Sequence, residues 1–397
     1  MHKRKLVLIV VLAMIAALFI SPVAAQEEDR WDGADDLEVN PLDCAMAEGA
    51  EMEAEATVDP AATPEGDVTE EPMAEMPEYD GGVAQNAPDK AGQDIVLVDI
   101  PKLIGIGYFD ATALGAQQAA EELGNVTVTT DGPTEANIDD QITFIENYLA
   151  QGVDGILFAA NDPVAISPVL RRALEAGVHV VGYDANSEPD AREWFVNQAE
   201  FNGIAKAMID SLAAEKGEDA SFGIVTSTFT TPNQARWIAE MQAYATKCHP
   251  EMTWLETLEA QEDSVLSFNQ ATTLINKYGE DLDGIFGMTS VATPSSADAV
   301  TQAGLCGEVA VIGLATPNAM KDFVNSDCVK SVVLWNPIDL GYAAVYVMRA
   351  VVDGTFQPGD TSVEAGRLGT LQVVNGSEVL LGAPFIFTKE NINDFDF

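Results

Sequence analysis

From Ile95 onward, short apolar runs alternate with longer stretches whose apolar positions recur every three or four residues. Residues 95–98 read as a strand, 99–110 as a loop, 111–123 as a helix and Val126–Thr130 as a second strand. Ile138, Ile142, Ile145 and Leu149 then line one face of a helix closed by Gly152. A third strand covers 155–159. Asn161, Asp162 and Pro163 supply a cap and a first-turn proline for a helix running to Ala176, and a fourth strand over 178–183 ends on Asp184. Short apolar strands alternating with amphipathic helices predict an α/β fold with parallel sheets covered on both faces.

The rhythm then starts again. Strands near residues 95, 126, 155 and 178 are answered by strands near 222, 253, 285 and 309, a spacing of about 130 residues. The match is one of layout, with little residue identity. It predicts two similar Rossmann-like lobes, each with its own parallel sheet and its ligand edge facing the other. A strand over 329–335, then Asn336-Pro337 and a helix over 340–353, break the repeat, and the remainder to Phe397 reads as a long irregular tail. The chain is therefore expected to cross between lobes more than once, first near Asn197-Gln198, leaving a multi-strand hinge. The expected division is an N-terminal lobe of 94–198 plus 336–372 and a C-terminal lobe of 199–335 plus 373–397.

The residues before this pattern differ in kind. His2, Lys3, Arg4 and Lys5 precede an unbroken apolar run from Leu6 to Ile20, and Val23-Ala24-Ala25 follows with small side chains. This is the layout of a cleaved export signal over 1–25, and the run is short for a membrane-spanning helix. Residues 26–93 are rich in Glu, Asp, Ala, Pro and Met without a steady period, so they are expected to form a disordered acidic linker.

Net charge is −45. Such an excess repels phosphate backbones and excludes nucleic acid as a partner. The four cysteines are Cys44, Cys248, Cys306 and Cys328. Export permits disulfides. Cys306 and Cys328 each come shortly before a predicted strand, so they are either a bridge between neighbouring strand starts or two buried thiols. Without CxxC spacing, and with only three histidines, the chain offers no zinc site.

The loop over 99–110 leaves the carboxyl end of a strand, where open α/β sheets hold their ligands. It carries Lys102, the aromatic pair Tyr108-Phe109, and Gly105 and Gly107, which permit close backbone approach. Asp184 stands at the same edge. Lys102 can only donate hydrogen bonds, an ionised Asp184 can only accept, and Asn233 and Gln234 do both, a set that suits hydroxyl groups. Tyr108, Phe109, Trp237 and Trp335 are candidates to stack on an apolar ring face. Asn197 and Gln198 either touch ligand or stitch the hinge.

The segments IPKLIGIGYFD, TTDGPTEANIDDQI, VGYDANSEPDAREWFVNQ, GLATPNAM, LWNPIDLGY and FTKENINDFDF, in that order, resemble one family. It is the type I periplasmic sugar-binding proteins of ABC importers, in the branch that holds the rhamnose-binding and autoinducer-2-binding proteins. The resemblance implies a monomeric, two-lobed binding protein outside the cytoplasmic membrane, without cofactor, that closes over a small sugar and delivers it to a membrane permease. In the autoinducer-2 branch a lysine after the first strand and an aspartate after the fourth hold the ligand, matching Lys102 and Asp184. An Asp-Gln pair in that branch corresponds to Asn233-Gln234, and a proline with an alanine two residues on corresponds to Pro294 and Ser296. Asn for Asp removes an acceptor charge and Ser for Ala adds a hydroxyl. Both departures favour a ligand with more neutral hydroxyls, such as a deoxyhexose, over autoinducer-2. Presentation of a signal to a membrane receptor is the alternative to import.

Enzyme classes fare poorly. Gly105-x-Gly107 has Asp110 where a dinucleotide fingerprint needs its third glycine. His179 lies inside a predicted strand and His249 precedes Pro250, neither beside an obvious nucleophile. No catalytic residue is expected.

Overall fold

A computed structural model of the chain describes residues 39–44 and 78–397. The expected signal (1–25) and most of the expected linker (26–38 and 45–77) lie outside the described residues. The alternating pattern folds as β1 (Ile95–Ile100), α1 (Gly107–Leu123), β2 (Val126–Thr130), α2 (Ile138–Gln151), β3 (Gly155–Phe158), α3 (Pro163–Glu175), β4 (His179–Tyr183) and β5 (Trp194–Asn197). The second round gives α4 (Phe201–Lys216), β6 (Ser221–Thr226), α5 (Pro232–Cys248), β7 (Thr253–Glu259), α6 (Ser264–Tyr278), β8 (Gly284–Gly287), α7 (Ala292–Ala303), β9 (Ala310–Gly313), α8 (Pro317–Asn325) and β10 (Ser331–Leu334). The caps form as the side chains dictate. Asn137 accepts from the N–H groups of Asp139 and Asp140, and Asp162 from those of Val164 and Ala165, with Pro163 in the first turn.

Two sheets result. The first runs β2-β1-β3-β4-β5 in parallel, and the second runs β7-β6-β8-β9, also parallel. In the first, β1, β3 and β4 lie at its centre and read as near-continuous apolar runs because helices cover both faces. This is the expected α/β class with two Rossmann-like layers.

Helix α1 begins four residues earlier than the periodicity predicts, so Tyr108 and Phe109 belong to its first turn and not to the loop. Helix α9 (Pro337–Val352) packs directly on it. That approach depends on glycine: a Cβ at Gly115 would stand 1.8 Å from the Ile338 carbonyl oxygen, and one at Gly341 would stand 1.9 Å from that of Thr112. The contact fixes the axis of α1 and with it the two aromatic rings at its start.

The tail is not irregular. It forms β11 (Ser362–Glu364), β12 (Thr370–Asn375), β13 (Glu378–Leu380) and β14 (Phe385–Thr388). Leu371 and Val373 are buried while Thr370 and Gln372 are exposed, the alternation of a half-buried strand. β13 lies parallel to β5 and extends the first sheet through β12 to β11, whereas β14 pairs antiparallel with β10. The exchange expected after residue 372 therefore falls after Leu380, because backbone pairing to β5 holds β13 in the first sheet. Among the described residues, three segments connect the first sheet with the second and with the β10–β14 pair: 198–200 after β5, 335–336 after β10, and 381–384 before β14. The first begins at Gln198, directly after Asn197 ends β5.

The described parts of the expected linker are packed. The Tyr79 ring lies against Trp194, 5.1 Å between centroids, and its hydroxyl meets the carbonyls of Gly82 and Glu193. Residues 39–44 dock on α4 and α5 through Asn202, Glu240 and Lys247, and the Cys44–Cys248 disulfide holds them there. Cys306 and Cys328 also form a disulfide. Two widely spaced aromatics and a single cysteine in an acidic, aperiodic stretch carry no period, so pattern alone does not reveal this docking.

Candidate ligand-binding cleft

Carboxyl ends of strands from both sheets border the same space. From the first sheet come Lys102, one residue past Pro101 at the end of β1, and Asp184, directly after β4. From the second come Asn233 and Gln234 in the first turn of α5, Glu262 after β7, Met288, Thr289 and Ser290 after β8, and Leu314 after β9. Trp335 joins them from the second crossing. The cleft they enclose leaves only about 30 Å³ free between its walls, so the two sides stand nearly in contact.

Asp184 is the meeting point. It is 2 % exposed and adopts φ +59°, a left-handed conformation rarely held by a residue with a side chain unless its surroundings impose it. Its Oδ1 accepts from the Tyr108 hydroxyl at 2.9 Å and from the Asn233 Nδ2 at 3.4 Å, and its Oδ2 lies 3.0 Å from the Lys102 Nζ. Lys102 is 5 % exposed, so this is a buried ion pair. Asp184 Oδ2 has no directed hydrogen bond, so it keeps lone-pair capacity for a further donor. Burial first, and then the charge of Asp184, push the Tyr108 hydroxyl well above its ordinary range, so it remains a donor. The Tyr108 oxygen in turn accepts from Trp335 Nε1 at 2.9 Å. A relay of Trp335 to Tyr108 to Asp184 thereby ties the second crossing to the first sheet's edge.

On the opposite wall, Gln234 Oε1 accepts from the Thr226 hydroxyl and the Ser227 N–H, which fixes the amide, and its Nε2 donates to Glu262 at 3.3 Å. Removal from water raises the Glu262 carboxyl above the ordinary carboxylate range, while the positive charge of Lys102 opposes that rise. The aromatic rings enclose the cations and hydroxyls: Lys102 Nζ stands 5.9 Å from the Phe109 centroid, and Trp237 and Trp335 lie 5.7 Å apart in a tilted pair. Ile106, Met288, Leu314 and Leu334 supply apolar lining.

Of the residues expected at the site, Lys102, Phe109, Asp184, Asn233, Gln234 and Trp335 converge here. Pro294 and Ser296 do not. Pro294 borders an adjoining, more open depression beside α6 that shares Ile106 and Ser290 with the cleft, and Ser296 is fully buried in α7 with its hydroxyl unpaired. One turn of α7 sets them away from the strand ends that define the cleft. Asn197 and Gln198 are buried at the first crossing, outside the cleft lining. Glu262, Met288, Thr289 and Ser290 were not expected. Their signal is positional, since all follow the end of a strand by one to three residues. Among the described residues, no cluster of His, Cys, Asp and Glu could hold a metal ion.

An open α/β architecture with two strand-end edges sharing one polar, aromatic-lined cleft defines a solute-binding protein. The model of the periplasmic binding protein domain family matches residues 98–355, and the chain belongs to that family. A sugar ABC transporter protein from Actinomyces odontolyticus is 31% identical, covering 79% of this chain and 100% of that one, with a TM-score of 0.63. An ABC transporter solute-binding protein from Clostridium phytofermentans with bound L-rhamnose is 28% identical over 76% of this chain and 98% of that one, with a TM-score of 0.72. LsrB from Clostridium saccharobutylicum in complex with AI-2 is 25% identical over 76% of this chain and 100% of that one, also at 0.72.

Proposed function

We propose that this chain is an exported solute-binding protein that captures an uncharged monosaccharide, a rhamnose-like deoxyhexose by preference, and delivers it as a monomer to the permease of an ABC importer. The observation that carries this reading is Asp184, a buried carboxylate that meets Lys102 and Tyr108 from its own sheet and Asn233 from the other. A sugar hydroxyl donates and accepts at once, so it can insert between a fixed acceptor and a fixed donor and satisfy both. Closure follows, because only the closed arrangement brings both walls to the ligand, and the population shifts by that difference in affinity.

The charge inventory supports a neutral ligand: Lys102 is the cation that lines the cleft, against Asp184 and Glu262. A phosphorylated or acidic sugar would meet two carboxylates. Phe109 and the aliphatic lining suit a C–H face and a methyl group. The likeness to an L-rhamnose-bound relative supports the deoxyhexose.

Autoinducer-2 is the second reading, and presentation of that signal to a membrane receptor belongs with it. Lys102, Asp184 and Gln234 match that branch, and the LsrB likeness favours it, while Asn233 weakens it. Calorimetric titration of the purified chain with L-rhamnose, D-arabinose, D-allose and autoinducer-2 tests the reading. L-Rhamnose is expected to bind most tightly. Absence of binding by every one of these ligands overturns the proposal.

A further inference from the structure

We propose that Trp237 and Glu262 form a second polar anchor, a donor–acceptor pair on the far wall of the cleft that reads a different hydroxyl from the one held at Lys102 and Asp184. This rests on the sugar-binding reading above and specifies how that site selects among sugars.

The observations are independent of the resemblance. Trp237 lines the cleft and is 2 % exposed, yet its indole N–H meets no acceptor. Its counterpart Trp335 donates to Tyr108, so of two neighbouring indoles one is satisfied and one is not. A buried donor left unpaired is costly, and the space beside this ring is the ligand cleft. The N–H is therefore placed for an acceptor that arrives with the ligand.

Glu262 supplies the complement. It borders the same cleft, receives a long 3.3 Å hydrogen bond from Gln234, and is also influenced by the Thr289 hydroxyl and the charge of Lys102. Gln261 and Glu262 both adopt left-handed conformations, φ +52° and +56°. Like Asp184, then, the second cleft carboxylate stands on a backbone bend that side chains disfavour. A carboxylate with lone pairs to spare and an indole with a proton to donate match one hydroxyl, which donates to the first and accepts from the second. Asn233 is neutral, so Glu262 is the acceptor charge on this wall. The ligand thus carries at least two hydroxyls, one for each anchor.

The test is titration of wild-type, Trp237→Phe and Glu262→Gln proteins with L-rhamnose, D-arabinose, D-allose and autoinducer-2. Trp237→Phe keeps an aromatic ring and removes only the donor. Affinity for the best ligand is expected to fall about fivefold in Trp237→Phe and at least tenfold in Glu262→Gln. Affinity for that ligand lacking the hydroxyl read here is expected to be insensitive to either change. In ¹⁵N spectra the Trp237 indole resonance should move downfield on saturation, while thermal midpoints of the ligand-free variants verify folding. Unchanged affinity in both folded variants with a ligand the wild type binds overturns this inference and leaves the sugar reading standing. No binding by the wild type overturns both.

Discussion

Replacing Asp184 separates what the buried ion pair does for the fold from what it does for the ligand. Asp184→Ala leaves Lys102 5 % exposed beside Phe109 without its counter-charge, and leaves the Tyr108 hydroxyl and the Asn233 amide without their acceptor. Breaking one side of a buried pair costs about 3–5 kcal/mol of stability. A hydrogen bond from ligand to a charged group contributes about 1.5–3 kcal/mol, which is roughly a 10- to 150-fold loss of affinity. The double variant Lys102→Met/Asp184→Leu resolves the two effects. Two apolar side chains of similar size remove the uncompensated charge, so part of the stability lost in Asp184→Ala should return, although Tyr108 and Asn233 still lack their acceptor and the left-handed backbone at 184 disfavours leucine. Binding should not return, since neither donor nor acceptor remains. The paired assays are thermal unfolding and calorimetric titration with L-rhamnose. Affinity of Asp184→Ala within twofold of wild type would remove Asp184 from the site, and a double variant that binds would refute the argument as a whole.

Two further outcomes follow from the same structure. Asn233→Asp restores an acceptor charge at the start of α5, 3.4 Å from Asp184, and should shift the ratio of affinities toward autoinducer-2 by at least fivefold; an unchanged ratio in competition titrations would count against Asn233 as a selector. Asp99 is buried under the first sheet's edge, accepting from Tyr183 and Thr130, and loss of hydration raises its pKa to about 6. The folded state then holds the proton more tightly than the unfolded state, so this contribution is full below about pH 4 and is lost as pH rises through 6, a swing of about 3 kcal/mol. Asp99→Asn should therefore be more stable than wild type at pH 8, with the gap closing by pH 4, as read by chemical unfolding at both values. A gap that does not change with pH contradicts the assignment.

The parts of the fold that depend on periodicity were legible and the parts that depend on distant pairing were not. Ile138, Ile142, Ile145 and Leu149 announce α2 because burial on one side of a helix repeats every three to four residues. The second lobe was legible as a recurrence of strand positions, although its residues differ from the first. The start of α1 was missed because Ile106 offers no side-chain cap and Gly107 reads as a breaker. β11 to β14 are three to six residues long and gain their stability from β5 and β10. β11, β12 and β13 pair with one another locally, but the strands that anchor them and β14 to the fold, β5 and β10, lie far away in sequence, so no local window contains the full reason for them. The cleft divides in the same way. Lys102 and Asp184 follow strands whose ends are readable, whereas Glu262 is visible only once β7 is known to end at Glu259 and the loop after it to turn back.

The contact between Asp184 and Asn233 bears on how tightly any ligand can bind. It joins the two walls without a ligand atom, as does the relay from Trp335 through Tyr108 to the same carboxylate. Under the proposed closure, every such contact stabilises the closed arrangement by itself and reduces the share of closure that the ligand must supply. The same contacts also occupy lone pairs that a hydroxyl needs. These opposing effects need not cancel, because their geometry differs. Tyr108 and Lys102 approach Asp184 from its own sheet, whereas Asn233 approaches from the other sheet at the longest of the three distances. A ligand hydroxyl gains most by displacing the weakest of them. It would then take the Asn233 position on Asp184 and return a lone pair to the Asn233 amide, so the walls become joined through the sugar. Specificity on this view lies in the second lobe, where the displaced groups are, and the first lobe supplies a preformed charged anchor common to many polyols.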